Sequence, residues 1–406
     1  MPSVVIVGTG QAGFQAASSL RQAGFEGDVT LVGDEPQLPY QRPPLSKAFL
    51  KGDGDASEVH LRPETFFLSK TIGLISDDRA ERVDRESRTL ELASGRVLDY
   101  DHLVLATGSR PRALPVPGSD LDGILVLRTV RDAQVLRERL ADAPRLVVVG
   151  GGFIGLELAA SARERGAEVT VVEALDRTMA RAVTPAISAH FAALHAEHGA
   201  TILHESTVAR FVGDGAVSAV ELGDRTRLEA DVVVVAVGIT PNVELAEGSG
   251  LPVRDGIVVD ETLRTSDHAV WAIGDCANYP NAQVGRPVRL ESVQNATDHG
   301  RAVAAGIMGE PAPYDALPWF WSDQHSRKLQ IAGLLHGHDT TVLRGDPAGE
   351  AFSVFCFDGD RLVCVESVNR MPDHMAARKL LAAGRTIDPA AAADEAFDLK
   401  AYAAAE

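Results

Sequence analysis

The sequence has few cysteines, too few basic residues to balance its acids, and no long apolar run. Its three cysteines are Cys276, Cys356 and Cys364, and no two of them form a C-x-x-C or a similarly close pair. A disulfide framework, a zinc site or a resident iron–sulfur cluster therefore lacks ligands. We expect these cysteines to be packed rather than reactive.

The chain carries 39 Lys and Arg against 57 Asp and Glu, for a net charge of −18. This excess of acid argues against nucleic acid or an anionic membrane as a partner, unless basic residues cluster locally. No apolar run could cross a bilayer, and the N-terminal residues lack the pattern of a secretion signal. We therefore expect a cytoplasmic protein.

The chain contains glycine-rich motifs. Residues 148–155 include the pattern G-x-G-x-x-G, at Gly150, Gly152 and Gly155. A hydrophobic strand is predicted before this turn and a helix after it. Such glycines let backbone N–H groups approach a pyrophosphate at a helix N-terminus, where the dipole favours negative charge. A glycine turn can also serve only close packing. Here, however, a second strand follows and ends on Glu173, an acid placed to bind a ribose.

The same pattern occurs near the N-terminus, where Gly8, Gly10 and Gly13 lie between a predicted strand and a predicted helix, and Asp34 follows the next strand. Two nucleotide-binding folds in one chain imply two dinucleotides. We interpret one as a tightly held flavin and the other as an exchangeable nicotinamide. The 406 residues leave room for two to four domains.

Two strands end in glycine, and we interpret them as crossings between the nucleotide domains. The first, D-H-L-V-L-A-T-G, ends in Ala106, Thr107 and Gly108, and the second, D-V-V-V-V-A-V-G, ends in Gly238. These hinges would enclose an inserted domain. The predicted domains are residues 1–108 with 241–318 for the flavin, 109–240 for the nicotinamide, and 319–406 at the C-terminus.

The C-terminal region has a different pattern. W-F-W-S-D-Q at residues 319–324 opens it, and segments with a period of two follow. They predict an antiparallel sheet. The predicted fold class is thus α/β, with two Rossmann-like dinucleotide-binding domains plus a C-terminal α+β domain.

Two positions keep two interpretations each. Lys47, after the stiff pair Pro43-Pro44, is either a solvated lysine on a surface linker or part of the wall of a flavin site. Asp275, after Gly274, either accepts hydrogen bonds from a polyol or caps a following helix.

Three histidines, His190, His195 and His198, lie close together on a predicted helix. No acid or fourth ligand accompanies them in a metal-binding spacing. We interpret them as residues of a surface helix.

Taken together, these motifs resemble the FAD- and NADH-dependent ferredoxin reductases of bacterial oxygenase systems. The resemblance covers nearly the whole chain and implies a glutathione-reductase-like arrangement of domains. Its motifs are V-G-T-G-x-A-G, P-P-L-S-K, L-V-L-A-T-G, G-G-G-F-I-G-L-E, G-D-C-A, E-S-V-Q-N-A and W-F-W-S-D-Q. The last three, in that order, are specific to this branch.

For FAD, the resemblance implies that Asp34 binds the adenosine ribose, Lys47 lies near flavin N5 and Asp275 binds the ribityl chain. The amide of Val293 would meet the pyrimidine end of the flavin, where a helix N-terminus stabilises negative charge. The implied FAD-site residues are Gly8, Gly10, Ala12, Gly13, Asp34, Lys47, Ala80, Ala106, Thr107, Gly108, Arg128, Gly274, Asp275 and Val293.

For NADH, the resemblance places Phe153 beside the nicotinamide and Glu157 near its carboxamide and near Lys47. Glu173 would bind a ribose 2′-hydroxyl and repel the 2′-phosphate of NADPH. Arg177 could soften that repulsion, so we expect a preference for NADH without absolute exclusion. The implied NADH-site residues are Gly150, Gly152, Phe153, Ile154, Gly155, Glu157, Glu173 and Gly238.

Residues 14–50 contain no cysteine, whereas disulfide-using relatives carry a cysteine pair after the first Rossmann helix. Electrons would therefore leave directly from the flavin, and the resemblance implies a 2Fe–2S ferredoxin as their acceptor. The expected catalytic residues are Lys47, Glu157 and Trp321, with Trp321 near the electron exit.

Such ferredoxins are acidic, so docking on this acidic chain needs a local basic face. The first candidates for that face are Arg301, Arg327 and Lys328, with Arg286 and Arg289 second. We expect a monomer or a weak homodimer. Two other functions stay open: a rubredoxin reductase or NADH diaphorase, and an NADH-sensing flavoprotein like apoptosis-inducing factor.

Overall fold

The computed structural model of the chain describes residues 1–142 and 144–405. The residues group into two compact units. The first unit comprises Met1–Gln41, Ala56–Arg110 and Thr240–Pro318, and the second comprises Arg42–Asp55, Pro111–Ile239 and Trp319–Glu406. The division into three domains stays a prediction.

The described residues form β-α-β units around the two glycine turns and runs of consecutive strands elsewhere. The strands are β1 (Ser3–Val7), β2 (Asp28–Val32), β3 (Ile72–Ile75), β4 (Ala80–Asp84), β5 (Thr89–Leu92), β6 (Val97–Asp99), β7 (His102–Leu105), β8 (Ser109–Pro111), β9 (Ile124–Leu125), β10 (Arg145–Val149), β11 (Glu168–Val172), β12 (Thr201–Leu203), β13 (Val208–Asp214), β14 (Ala216–Leu222), β15 (Arg227–Glu229), β16 (Val232–Val235), β17 (Ile239–Pro241), β18 (Ile257–Val258), β19 (Val270–Ala272), β20 (Ala277–Asn281), β21 (Arg286–Val288), β22 (Trp319–Gln324), β23 (Arg327–Gly333), β24 (Thr340–Arg344), β25 (Phe352–Asp358) and β26 (Arg361–Val368).

The helices are α1 (Gln11–Gln22), α2 (Ala48–Lys51), α3 (Glu64–Ser69), α4 (Val130–Arg139), α5 (Phe153–Glu164), α6 (Pro185–Glu197), α7 (Glu244–Gly248), α8 (Val293–Ile307), α9 (Met371–Ala382), α10 (Pro389–Ala393) and α11 (Leu399–Ala404). Short 3₁₀ turns lie at Pro43–Ser46, Ala56–Val59 and Gly274–Cys276.

The first unit is built on a parallel sheet in the order β19-β7-β1-β2-β3. Its central strands are continuous apolar runs because a parallel sheet is covered on both faces. Helices α1 and α8 pack closely at Gly300, where a Cβ would lie 2.8 Å from the Ala12 carbonyl oxygen. The sheet thus brings the ends of β1, β7 and β19, with the turns that follow them, to one edge.

The second unit contains a matching parallel sheet in the order β12-β11-β10-β16-β9. The sequence predicts strands at residues 145–149 and 168–172, and β10 and β11 occupy these residues. This confirms the two Rossmann-like folds of the predicted class.

The same unit contains the antiparallel sheet predicted for the C-terminal region, in the order β22-β23-β26-β25-β24. Phe355, Val365 and Leu380 of α9 belong to the core of this region. Cys356 and Cys364 lie directly opposite each other on β25 and β26. All three cysteines are buried and free, in agreement with the expected packed role.

Two expectations need correction. The sequence pattern predicts a helix over residues 296–308. Helix α8 instead begins at Val293, because Ser292 caps it through a bond from the Asn295 amide to Ser292 Oγ (3.0 Å). On α6 the surface interpretation is wrong for His195, which is fully buried, while His198 is exposed. Within the two described ranges no helix is long and apolar enough to span a membrane.

Candidate functional site

The first glycine turn is closed at its ends and open in its middle. Gly8 has a φ of +116°, and a Cβ there would lie 2.1 Å from the Ala106 carbonyl oxygen. A Cβ on Gly13 would lie 2.0 Å from the Gly8 carbonyl oxygen, so neither position tolerates a side chain. At Gly10, a Cβ would meet no described heavy atom within 4 Å other than those of Gly10 itself and its chain neighbours. The N-terminal N–H groups of α1 therefore face space that suits a pyrophosphate.

The second turn repeats this arrangement. Gly150 has a φ of +111°, and its Cβ would lie 2.4 Å from the Ala236 carbonyl oxygen. The Cβ of a residue at Gly155 would lie 2.1 Å from the Gly150 carbonyl oxygen. Gly152 again has no described neighbour within 4 Å of a Cβ position. This turn also suits a pyrophosphate at the start of α5.

Glu173 is tied to the rim of the second turn. Its Oε2 accepts a hydrogen bond from the Gly151 amide (2.7 Å) and its Oε1 accepts one from the Leu175 amide (2.8 Å). Each carboxylate oxygen keeps a further acceptor site for a ribose hydroxyl. Arg177 instead donates to the Val183 carbonyl (2.9 Å) and to other groups of the following loop. Its guanidinium is committed there, so the expected softening of the Glu173 charge has no support.

The acid after the first turn is placed differently. The residue directly after β2 is Gly33, where a Cβ would lie 2.7 Å from the Thr9 side chain. Asp34 follows and is exposed. Its role with a ribose stays a prediction.

The turn Gly274–Cys276 brings three predicted residues together in the first unit. Gly274 has a φ of +74°, and a Cβ there would lie 3.0 Å from the Cβ of Ala12. Asp275 Oδ2 accepts a hydrogen bond from Ser109 Oγ (2.8 Å). Asp275 lies inside this turn, and strand β20 follows, so the helix-cap interpretation is wrong.

His299 stabilises that turn through a hydrogen bond. Its Nδ1 accepts a hydrogen bond from the Gly274 amide (3.1 Å), so its proton is on Nε2. The ring lies 4.7 Å from that of Tyr279 and 4.5 Å from that of Tyr314, centroid to centroid. Burial lowers the pKa of His299 to about 3, which keeps it neutral. Sequence reasoning missed this residue because no motif includes it.

In the second unit, Lys47 and Glu157 form an ion pair. Lys47 Nζ lies 2.8 Å from Glu157 Oε2. Ser46 Oγ donates to the same oxygen (2.7 Å), and Ser322 Oγ donates to Oε1 (2.7 Å). Glu157 is buried, and these donors satisfy it as burial of a carboxylate requires. The structure therefore rules out the solvated-linker interpretation of Lys47.

One aromatic contact lies at the start of α5, and another lies on β22. The rings of Phe153 and Phe320 lie 4.6 Å apart, and Ile154 beside them is exposed. On the opposite face of β22, the half-buried Trp321 lies 5.7 Å from Trp319.

The comparisons with known proteins agree with this architecture. The profile of the pyridine nucleotide-disulphide oxidoreductase family matches residues 2–300, and a reductase C-terminal profile matches residues 319–403. The chain belongs to the pyridine nucleotide-disulphide oxidoreductase family.

Two curated relatives illustrate the similarity. The chain is 51% identical to rhodocoxin reductase of Rhodococcus erythropolis, over 98% of this chain and 93% of that protein. It is 38% identical to rubredoxin-NAD(+) reductase of Pseudomonas putida, over 90% of this chain and 96% of that protein.

Two solved structures share the whole fold. The ferredoxin reductase for the CYP199A2 system from Rhodopseudomonas palustris is 50% identical, with a TM-score of 0.98 and full coverage of both chains. The covalent putidaredoxin reductase–putidaredoxin complex contains a chain 40% identical, with a TM-score of 0.96 and coverage of 100% and 99%.

This family uses FAD as its cofactor, and its ferredoxin reductases use NADH with it. The residues of this chain fit both groups. Each glycine turn leaves an open approach at its middle glycine, and each lies at the N-terminus of a twelve-residue helix without a side-chain cap among the described residues. Both are the features that a pyrophosphate requires.

The other predicted oxidoreductase site residues lie near strand ends. Thr107, between Ala106 and Gly108 after β7, donates from Oγ1 to the Asn242 carbonyl (2.6 Å). Gly238 follows β16 with a φ of +106°. Ala80 is a buried residue of the first unit, whereas Arg128 belongs to the second. Their roles with a nucleotide stay predictions.

The three first-rank docking cations each have an acidic neighbour. Arg301 pairs with Asp298 (3.0 Å) in the first unit. In the second unit, Lys328 pairs with Asp323 (3.2 Å). Arg327 pairs with Glu350 and is only 13% exposed, which leaves it little surface for a partner. Of the second-rank candidates, Arg286 is exposed and Arg289 is largely buried. Arg301 and Lys328, with the second-rank Arg286, therefore remain the accessible candidates.

Proposed function

We propose that the chain is an NADH-dependent ferredoxin reductase, which passes electrons from NADH through FAD to a 2Fe–2S ferredoxin. That ferredoxin would feed a monooxygenase of the cytochrome P450 type or a Rieske dioxygenase. The observation that carries this proposal is the pair of open glycine turns in a chain whose three cysteines are all fully buried. Bound FAD would take two electrons together from NADH and release them singly.

Buried thiols cannot relay electrons to an external acceptor, so the acceptor must take them from the flavin directly. The names of the similar proteins support a ferredoxin in that role. One relative is a rhodocoxin reductase, and in a solved complex putidaredoxin is joined to its reductase.

We assign the first turn (Gly8, Gly10, Ala12 and Gly13), with Asp34, Asp275 and Val293, to FAD. The second turn, with Glu173, is assigned to NADH. Lys47 and Glu157 would set the charge beside the flavin ring, because a fixed ammonium stabilises negative charge that develops there. Trp321 is assigned to the electron exit. A cytoplasmic location and a monomer or weak homodimer are part of the same proposal.

The test is anaerobic stopped-flow spectroscopy of the purified holoenzyme. One equivalent of NADH should bleach the flavin absorption, and subsequent mixing with oxidised putidaredoxin should reduce that protein rapidly. Bleaching with a persistent long-wavelength band and no transfer to putidaredoxin would contradict the proposal and favour a sensor or diaphorase.

A rubredoxin reductase is the second candidate, because the chain is 38% identical to such an enzyme over nearly its whole length. Its reaction with NADH would be the same. Oxidised rubredoxin in the second syringe separates the two functions: a rate above that for putidaredoxin would favour the second candidate.

A further inference from the structure

A chain of hydrogen bonds inside the second unit ends on the Glu157 carboxylate. Ser322 Oγ lies 2.7 Å from Glu157 Oε1, and Gln324 Nε2 lies 3.2 Å from Ser322 Oγ. His195 Nε2 lies 3.0 Å from Gln324 Oε1. Ser322, Gln324 and His195 are all fully buried. Four buried polar side chains are thus connected in a row.

The carboxylate determines the direction of every bond in this row. Ser322 has one hydroxyl proton, and Glu157 requires it because an ionised carboxylate only accepts. Ser322 must therefore accept from Gln324, which turns the amide nitrogen of Gln324 toward it. The amide oxygen then faces His195, so His195 must carry its proton on Nε2. Each group donates toward Glu157, and aligned bonds of this kind strengthen one another.

Local structure explains how the residues meet. Side chains alternate along a strand, so Phe320, Ser322 and Gln324 share one face of β22. Phe153 and Glu157 are four residues apart and share one face of α5. The two faces meet at the Phe153–Phe320 contact and at the Glu157–Ser322 bond. The S-x-Q part of the W-F-W-S-D-Q motif thus has a structural task.

The geometry of the carboxylate shows what this row can do. Rotation about the terminal torsion of a glutamate is only weakly restricted by the side chain itself. Oε2 is held by Ser46 and Lys47, while Oε1 is held by Ser322. Without Ser322 the carboxylate could turn, and the oxygen that holds the Lys47 ammonium would shift.

We propose that Ser322, Gln324 and His195 are positioning residues, which fix the Glu157 carboxylate and through it the Lys47 ammonium. This inference rests on the proposed function, in which the Lys47–Glu157 pair sets the charge beside the flavin.

The experiment compares holoenzyme variants with FAD bound. Ser322→Ala should slow flavin bleaching by NADH about tenfold, the loss expected for one hydrogen bond to a charged group. It should also shift the visible spectrum and the midpoint potential of the flavin. Ser322→Thr keeps the hydroxyl and should restore the rate to within about twofold. Gln324→Met, which removes the next donor, should have a smaller effect of the same kind.

Ser353→Ala is the matched control. Ser353 is a fully buried serine of the same sheet that bonds to Ser367 and Asp373, and its bonds within the described residues do not lead to Glu157. It should lower the thermal unfolding temperature as Ser322→Ala does, with the spectrum, potential and bleaching rate unchanged. If Ser353→Ala matched the Ser322→Ala losses, or if Ser322→Ala behaved as wild type, the inference would be overturned.

A double-mutant cycle tests whether Ser322 acts through Glu157. In a Glu157→Gln background, Ser322→Ala should add less than about twofold, because the residue it positions has lost its charge. An additive tenfold loss there would contradict positioning. Lys47→Met separates the two proposals. Wild-type bleaching in that variant refutes the assignment of the ion pair to the flavin, whereas slow bleaching together with a normal Ser322→Ala refutes only this inference.

Discussion

The two glycine turns have nearly the same backbone but different surroundings. Gly8 donates to the Val32 carbonyl at 2.7 Å and Gly150 donates to the Val172 carbonyl at 2.8 Å, and both have φ values near +110°. The difference lies at the second residue of each turn and at the end of the next strand. The first turn combines Thr9 with Gly33, whereas the second combines Gly151 with Glu173.

This difference separates recognition of a pyrophosphate from selection of a nucleotide. The shared geometry presents the same open N–H groups in both units, so it cannot discriminate between dinucleotides. In the first turn, the side chain of Thr9 lies over Gly33. In the second turn, Gly151 has no side chain and leaves room for the Glu173 carboxylate, and the Gly151 amide donates a hydrogen bond that holds this carboxylate in place. The second turn therefore carries a fixed charge that can select a cofactor.

The largest expected effect separates the closed and open glycines of the first turn. Gly13→Ala should destabilise the apoprotein by about 3 kcal/mol or more, because its Cβ would overlap the Gly8 carbonyl oxygen. Gly10→Ala is the matched control: its Cβ enters open space, so the apoprotein should unfold like wild type while FAD affinity falls. Urea unfolding measures the stability of the apoprotein of each variant, and FAD titration measures the affinity of each variant for FAD. Equal stability of the two variants would break the comparison.

The second prediction concerns Glu173. Glu173→Ala should raise the NADPH to NADH ratio of kcat/KM by about 10- to 100-fold, because it removes both a charged acceptor and the repulsion of the 2′-phosphate. Asp176→Ala removes an exposed acid of the same loop and is the control. Steady-state kinetics with both nucleotides check this. An unchanged ratio in Glu173→Ala would show that the second turn is no more selective than the first.

Each unit also contains a buried titratable group whose pKa is shifted by burial, for example His299 in the first unit and Glu366 in the second. Glu366 is fully buried and accepts from the Thr184 amide (3.0 Å). Burial raises the pKa of Glu366 from its ordinary 4.5 to about 7. Because the folded pKa exceeds the unfolded pKa, this carboxyl costs stability as the pH rises from about 4.5 to about 7.

Glu366→Gln should therefore stabilise the protein by about 1–3 kcal/mol at pH 8 and change little at pH 5. Unfolding in urea at the two pH values is the measurement. Glu350→Gln, at an exposed acid, is the control and should change stability by less than about 0.5 kcal/mol at either pH. A stabilisation of Glu366→Gln that is equal at both pH values would show that its charge is not the cause.

The smallest expected effect concerns docking. Arg301→Glu should slow reduction of putidaredoxin about 3- to 10-fold at low salt, and the difference should shrink at high salt. Arg361 offers a close control: it is 62% exposed and paired three residues back, as Arg301 is at 63%. Stopped-flow rates at several salt concentrations would decide. If Arg361→Glu slows the reduction of putidaredoxin as much as Arg301→Glu does, the net charge of the protein, and not a local basic face around Arg301, governs the encounter with putidaredoxin.

Much of the fold followed from local patterns. Strands β10 and β11, the glycine turns and the antiparallel C-terminal sheet were predictable because periodicity and turn chemistry depend on neighbouring residues. The start of α8 was less predictable, because the capping residue Ser292 lies outside the apolar pattern of the helix. His195 was assigned to a surface because the three histidines lack the acid or fourth ligand of a metal site. The pattern of its helix did not reveal its distant partner Gln324.

By itself, the sequence determined two dinucleotide folds, the position of each glycine turn and the family. Tertiary structure alone decided which side chains complete the site. Ser46 and Ser322 reach Glu157 from 111 and 165 residues away, and His195 reaches Gln324 across 129 residues. The physical reason is that a hydrogen bond depends on distances of about 3 Å between atoms. Those distances are set only when distant strands and helices pack.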